Sequence, residues 1–272
     1  MNLHALNQVG RVLLALGFKP QAAAPADYRR RTLAASMVAD EFLELRFRAP
    51  TVRDPLVHAA QLRGPWRLLP AEGDFRADGP WMYTAELPLG VFAELDPEDW
   101  SEAFTQSVLA LVGTAEGESP DWIAPAAAET EDWVPPQDRF VRTNDLLCPL
   151  DVLADGSGFR LSCCLGDMRE DLTRARRSWI RHVLLDWQTH TRLIRLTANA
   201  DGIQAHVDLT GVPGAVLEAF AKLAAATMRA ALPPLIAAVD VLTTVDLGSA
   251  ALEAWPEEAT PVQSKTSNDE GR

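Results

Sequence analysis

The side chains able to do chemistry are few and scattered. Five histidines (His4, His58, His182, His190, His206) and three cysteines (Cys148, Cys163, Cys164) are the metal-ligating and nucleophilic stock. His182 and His190 lie eight residues apart across an expected helix end, which reads as ordinary helix-end placement, not as a ligand pair. Cys163 and Cys164 are adjacent, so a strand sends them to opposite faces. The carboxylates cluster twice, at Asp96, Glu98 and Asp99 and at Asp167, Glu170 and Asp171. Each cluster falls where a helix is expected to begin, and there carboxylates complement the helix dipole. No phosphate-loop, dinucleotide, zinc-protease or nucleophile-elbow motif occurs. Gly156-Ser157-Gly158 reads as a hairpin turn. The expectation is a non-catalytic chain with no cofactor and no metal.

Two groups of side chains remain that suit binding. Arg169, Arg174, Arg176, Arg177 and Arg181 lie on one side of an expected helix over 168–188, against two acids in residues 169–181. Guanidinium groups clamp phosphate or carboxylate in bidentate fashion. Such a face serves DNA, an acidic partner segment or a subunit contact, or it is a solvated face that pairs with acids of the same chain. The second group is aromatic. Trp66 and Trp81 flank a Gly/Pro/Asp-rich turn, and Trp122 and Trp133 sit in a polar segment. Trp is enriched in interface hot spots. Core packing and pinning of the segment against a domain are the competing readings.

The elements that position these residues follow from periodicity. Leu3, Leu6, Val9, Leu13 and Leu16 recur at helical spacing over 2–17, and Gly17 then Pro20 end the run. Residues 41–48 and 81–87 alternate as half-buried strands. Asp96-Pro97 opens a helix over 97–112 whose face is Trp100, Phe104, Val108 and Leu111. Arg29–Arg31 reads as a loop before a strand. Strands are expected at 148–153 and 158–165 around Asp155-Gly156-Ser157-Gly158. The helix 168–188 follows, with Trp179, Val183 and Trp187 on its apolar face. Strands 191–198 and 202–209 come next, with Gln204, His206 and Asp208 toward solvent or a partner strand. A helix over 213–231 is stopped by Pro233-Pro234, and a further helix spans 235–246. Strand, strand, helix occurs in both halves. "MYTAELPLG" before one helix echoes "AHVDLTGVP" before the other, which points to an internal duplication.

Charge divides the chain. The 272 residues carry a net charge of -13, which disfavours a free-standing nucleic-acid binder. Residues 113–138 alone hold seven acids and no Lys or Arg, whereas 1–112 carry -3 and 139–253 carry -1. The expected organisation is an N-terminal unit (1–112), an acidic Pro-containing linker (113–138), a C-terminal unit (139–247) and a largely disordered tail (248–272). Apolar stretches fall short of a membrane span of about 20 residues. The N-terminus has no basic start and no cleavage site. A cytoplasmic protein with reduced thiols is expected.

The segment "RLIRLTANADGIQAHVDLTGVPGAVLEAFAKLAAATMRAALPPL", residues 195–235 with their lead-in, resembles the YbjN-like family, whose fold is shared with type III secretion chaperones. The elements that carry it are the Asp201-Gly202 hairpin, the alternating strand ending at Asp208-Leu209, and the long helix ending in a Pro pair. The likeness extends over roughly 148–235 and, more loosely, over 1–112. A tandem arrangement departs from the single-copy form of the family. The resemblance implies an α+β fold with two similar units of antiparallel sheet flanked by helices. It also implies homodimerisation and chaperone or adaptor activity without ATP, on a client protein. That client is expected to be basic, a single-stranded-DNA-handling protein of a DNA damage response being one class. The resemblance supplies no catalytic residue. The alternative is a regulatory module that meets nucleic acid through the Arg-rich helix.

Overall fold

A computed structural model describes residues 3–22, 24–38, 41–50, 52–71, 80–116, 140–142, 147–149, 151–155, 158–168, 172–199 and 202–244. The first half opens with helix α1 (Leu3–Ala15). Gly17 ends it at φ 83°, a left-handed conformation that costs glycine nothing, and the Phe18 amide donates back to the Leu13 carbonyl at 2.9 Å. Strands β1 (Lys19–Gln21), β2 (Ala24–Arg30), β3 (Leu33–Val38) and β4 (Phe42–Arg48) follow. Short helix α2 (Pro55–Ala59), strands β5 (Trp66–Pro70) and β6 (Trp81–Pro88), a 3-10 turn and helix α3 (Pro97–Glu116) complete this half. The sheet order is β1-β2-β3-β4-β6-β5, antiparallel throughout. Alternation sets its faces. Leu43, Leu45, Ala85, Trp66 and Leu68 are buried on one side, and Glu44, Arg67, Thr84 and Glu86 stand on the other. On α3, Trp100 stacks on Phe104 at 4.9 Å and Phe92 meets Phe104 edge-on at 5.5 Å. Arg29 and Arg30 lie inside β2, not in a loop, and Arg31 takes the turn with φ 52°.

The second half contains β7 (Phe140–Arg142), β8 (Leu147–Pro149), β9 (Asp151–Asp155) and β10 (Gly158–Gly166). Helix α4 (Arg174–His190), strands β11 (Arg195–Asn199) and β12 (Gly202–Asp208) and helix α5 (Gly214–Thr244) follow. Strands β7 and β8 pair, and the main sheet runs β11-β12-β10-β9. Cys163 is buried and Cys164 exposed on β10. Helix α4 starts six residues later than periodicity implies. Thr173 caps it, its Oγ1 accepting the Arg176 amide at 3.3 Å, so Met168 and Leu172 precede the helix although Leu172 is buried. Asp167 therefore precedes the first turn instead of lying in it.

Helix α5 corrects two expectations. Pro233 and Pro234 lie inside it, so the segments 213–231 and 235–246 are one helix. The pair removes backbone donors, yet buried residues continue on both sides: Ala225, Met228 and Leu232 before it, Leu235, Ile236 and Val239 after. The helix packs on β10 and on the 3-10 turn of the first half. Among the described residues α5 is also the one helix long and apolar enough to cross a membrane. One row of its residues from Val216 to Leu242 is buried in protein, and 39% of its apolar window is buried.

The chain is thus α+β, with helices on antiparallel sheets. The two halves share a strand order: β3-β4-β6-β5 in one, β9-β10-β12-β11 in the other. In each, two strands precede a helix, a hairpin follows it, and the hairpin's first strand ends at the sheet edge. One apolar core runs through both halves, from Val9 to Leu242.

Candidate functional site

The Arg and Trp residues singled out by sequence part company. Trp66 and Trp81 are 2% and 1% exposed, so neither is a surface anchor. Their strand positions put them on the apolar face, opposite Ala85 and Pro70, where Trp66 meets Phe47 edge-on at 5.1 Å. Arg169, Trp122 and Trp133 lie outside the described residues. Arg174 is exposed, and Arg176 and Arg177 are half-buried. Arg181 is engaged within the molecule, its Nη2 2.8 Å from Asp54, the residue whose carboxylate caps α2. The cationic face of α4 is thereby thinned. Among the described residues no group of three or more His, Cys, Asp or Glu side chains is placed to share a metal ion.

The strongest electrostatic feature is one the sequence reading missed. Arg67 on β5 and Arg195 on β11 are both buried, each against a carboxylate. Arg67 Nη2 donates to Glu86 at 2.8 Å, and Arg195 Nη2 to Asp208 at 3.2 Å. Each carboxylate stands on the second strand of the hairpin, two positions past the residue facing its Arg: Thr84 faces Arg67 and His206 faces Arg195. Each Arg then reaches into the other half. Arg67 Nη1 donates to the Gln188 and Thr191 carbonyls, and Arg195 Nη1 to the Gly64 and Trp66 carbonyls. Burial lowers the Arg67 pKa and pulls that of Arg195 down to about 10, with Glu86 and Asp208 opposing. Glu86 also accepts from Arg192 at 2.7 Å and from the Leu193 amide at 3.1 Å. A buried charge stripped of its partner is far costlier than the intact pair is favourable.

The two pairs flank a junction of sheet edges. Outward carbonyls of β5 and its lead-in alternate at Gly64, Trp66 and Leu68. The first two accept from Arg195, and Leu68 accepts from Gln188 Nε2 at 2.7 Å. The same Gln188 side chain accepts the Leu196 amide of β11 at 2.6 Å through Oε1. One carboxamide thus stands where a direct rung between β5 and β11 would be. These edges are closed to an incoming strand, which moves any docking site away from them.

His206 lies inside this junction at 2% exposure and not toward solvent. The first half covers the polar face of the second sheet, so alternation does not mean exposure there. His206 Nε2 accepts from Arg195 Nε at 2.8 Å, which places the ring proton on Nδ1. Burial first, then the positive charges of Arg195 and Arg160, hold its pKa well below the usual histidine value. The unfolded chain binds this proton from about pH 6.5 downward and the folded chain does not. Stability is then fully present above that pH and falls below it, by about 1.4 kcal/mol per pH unit for this group. Urea titrations between pH 7 and 5 check this: His206→Asn should flatten the decline, and an unchanged slope would remove His206 as its source.

An open apolar concavity lies elsewhere among the described residues, between α4 and α5. Trp179 and Val183 form one wall, and Ala237, Ala238, Val241 and Leu242 the other. It is a shallow depression, open to solvent, of about 440 Å³. Val241 is 45% exposed, among the most exposed large apolar side chains of the described residues. The groove has no acid–base or nucleophilic lining; what it offers is apolar area for a complementary side-chain row. Comparison with family models, curated proteins and solved structures gives no match to this chain. Arg176 stands at helical spacing with Trp179 and Val183 on α4 but is not among the residues that line the groove.

Proposed function

We propose that this chain is a non-catalytic protein-binding adaptor or chaperone, built from two secretion-chaperone-like units, that takes an apolar helical segment of another protein into the α4–α5 groove. The observation that carries this reading is the groove itself, walled by Trp179, Val183, Val241 and Leu242 and bare of reactive groups. Helix-in-groove docking uses such a surface, reading anchors at i, i+3, i+4 and i+7. The resemblance of residues 195–235 to YbjN-like sequences supports the reading. So do the strand order common to both halves and the Arg–carboxylate pairs at matching register, which favour an internal duplication. The homodimer implied by the resemblance has an intramolecular counterpart in the β5–β11 junction. Pairing of two whole chains would use another surface. The expectation of a basic client rests on residues 113–138, most of which lie outside the described residues.

The test compares the full chain with Val241→Asp. At a half-exposed helix position the change should leave the thermal unfolding midpoint within about 2 °C of the parent. Proteins retained by the parent and lost by Val241→Asp are purified and titrated calorimetrically. A loss of tenfold or more in affinity, about 1.4 kcal/mol, is expected. Equal retention of every partner by both forms would retire the groove as the binding site.

A further inference from the structure

The α5 wall of the groove is the last stretch of that helix before Thr244. Ala237 and Ala238 make its hollow end, Val241 and Leu242 its raised end. The chain that follows lies outside the described residues and reads Val245-Asp246-Leu247-Gly248-Ser249-Ala250-Ala251-Leu252-Glu253-Ala254-Trp255-Pro256. Gly248 is the residue type that ends a helix, and Ser249 the type that caps the next one. Ala, Leu and Glu favour a helix, and the residue before a proline closes it. Leu252 and Trp255 stand three apart, on one face of such a helix, with Glu253 off that face. From Pro256 to Arg272 the one large apolar side chain is Val262, so the apolar material after α5 is gathered in 245–255.

The spacing matches the wall. A reversal over 245–248 has the length usual for two antiparallel helices, roughly 2–5 residues. It sets Ser249 level with Thr244. Both helices rise about 1.5 Å per residue, so Leu252 comes level with Val241 and Trp255 with Ala238. The largest side chain meets the two alanines, and the smaller leucine meets the valine.

We infer that residues 249–255 of this chain are the built-in occupant of the groove, a short helix folded back on the end of α5 with Trp255 over Ala237 and Ala238 and Leu252 against Val241. This rests on the docking reading above and adds the regulation of that site. Val241, 45% exposed, is the apolar area that the cover shields. A partner helix enters by displacing a tethered rival whose effective concentration is on the order of millimolar. Weak apolar contacts are thereby refused and a strong partner is admitted.

Methyl NMR of the full chain tests the contact. The indole ring of Trp255 should shift the Ala237 and Ala238 methyl resonances upfield. Trp255→Leu and Val241→Asp should each release that shift, and Val262→Ala should not. Ala237 and Ala238 methyls unmoved by Trp255→Leu would overturn the inference. A shift lost on dilution would place the Trp of a second copy in the groove and overturn it as well. Partners that Val241→Asp fails to retain supply the second readout. They should bind Leu252→Asp/Trp255→Asp tenfold or more tightly than the parent, and equal affinity for both forms would overturn the built-in occupant while leaving the docking reading standing. A Trp255-dependent shift with every partner still retained by Val241→Asp would keep the built-in occupant and retire the docking reading.

Discussion

Glu86→Gln should lower the free energy of unfolding by roughly 3–5 kcal/mol, the usual cost of leaving a buried charge without its partner. The Glu86 carboxylate is 3% exposed and serves three donors: Arg67, Arg192 and the Leu193 amide. A carboxamide has one acceptor oxygen for these three, and its NH2 group faces guanidinium donors. Arg67, itself 3% exposed, cannot turn to water. The double variant Arg67→Met/Glu86→Gln removes the stranded charge and should lose less than the two single losses together, a coupling that a double-mutant cycle measures. Asp208→Asn is expected to act the same way through Arg195, Arg160 and the Thr210 amide. Urea unfolding of the four-member Arg67–Glu86 set is the measurement. A Glu86→Gln form within 1 kcal/mol of the parent would show that the junction is open to water.

Gln188→Ala should cost about 2–6 kcal/mol, because two buried backbone groups lose their partners at once, at about 1–3 kcal/mol each. The Leu68 carbonyl and the Leu196 amide both depend on this carboxamide, whose residue is 1% exposed. Gln188→Glu separates the two halves of the effect. The carboxylate keeps an acceptor for Leu196 but sets an oxygen against the Leu68 carbonyl, so this nearly isosteric change should be at least as damaging as the alanine. Hydrogen exchange at the Leu196 amide reads the loss directly, with protection falling in Gln188→Ala and retained in part in Gln188→Glu. Full protection of that amide in the alanine form would contradict the bridge.

Much of the fold is legible because single elements carry their own signals. Alternation marks β4, β6, β10 and β12, and the Trp100, Phe104, Val108, Leu111 row marks α3. What was illegible comes from tertiary contacts. Leu172 is buried outside a helix, so its spacing extends α4 falsely, whereas Thr173, a capping type, marks the true start. Pro233-Pro234 reads as a stop because local sequence cannot show the packing on both sides of it. His206 and Asp208 read as outward residues because alternation describes one sheet, and another body covers that face. A trace of the junction does exist. Trp66-Arg67-Leu68 and Ile194-Arg195-Leu196 echo each other, as do Glu86-Leu87 and Asp208-Leu209. Reading the Arg of one echo with the acid of the other finds both buried pairs. The groove was legible in one wall, through the helical row of Trp179 and Val183. The α5 wall was not, because Val241 and Leu242 fall past the Pro pair.

The long reach of the junction shapes how the chain is made. Arg67 finds its carbonyl partners 121 and 124 residues later in sequence. At synthesis rates of about 5–20 residues per second, roughly 6–25 s pass between the emergence of β5 and that of its cover. During that interval the nascent first half shows a bare strand edge and a charge pair open to solvent. A helper protein that shields this edge on the ribosome would raise the yield of folded molecules. A stalled or truncated product ending before α4 would keep the edge exposed and be prone to strand-to-strand aggregation.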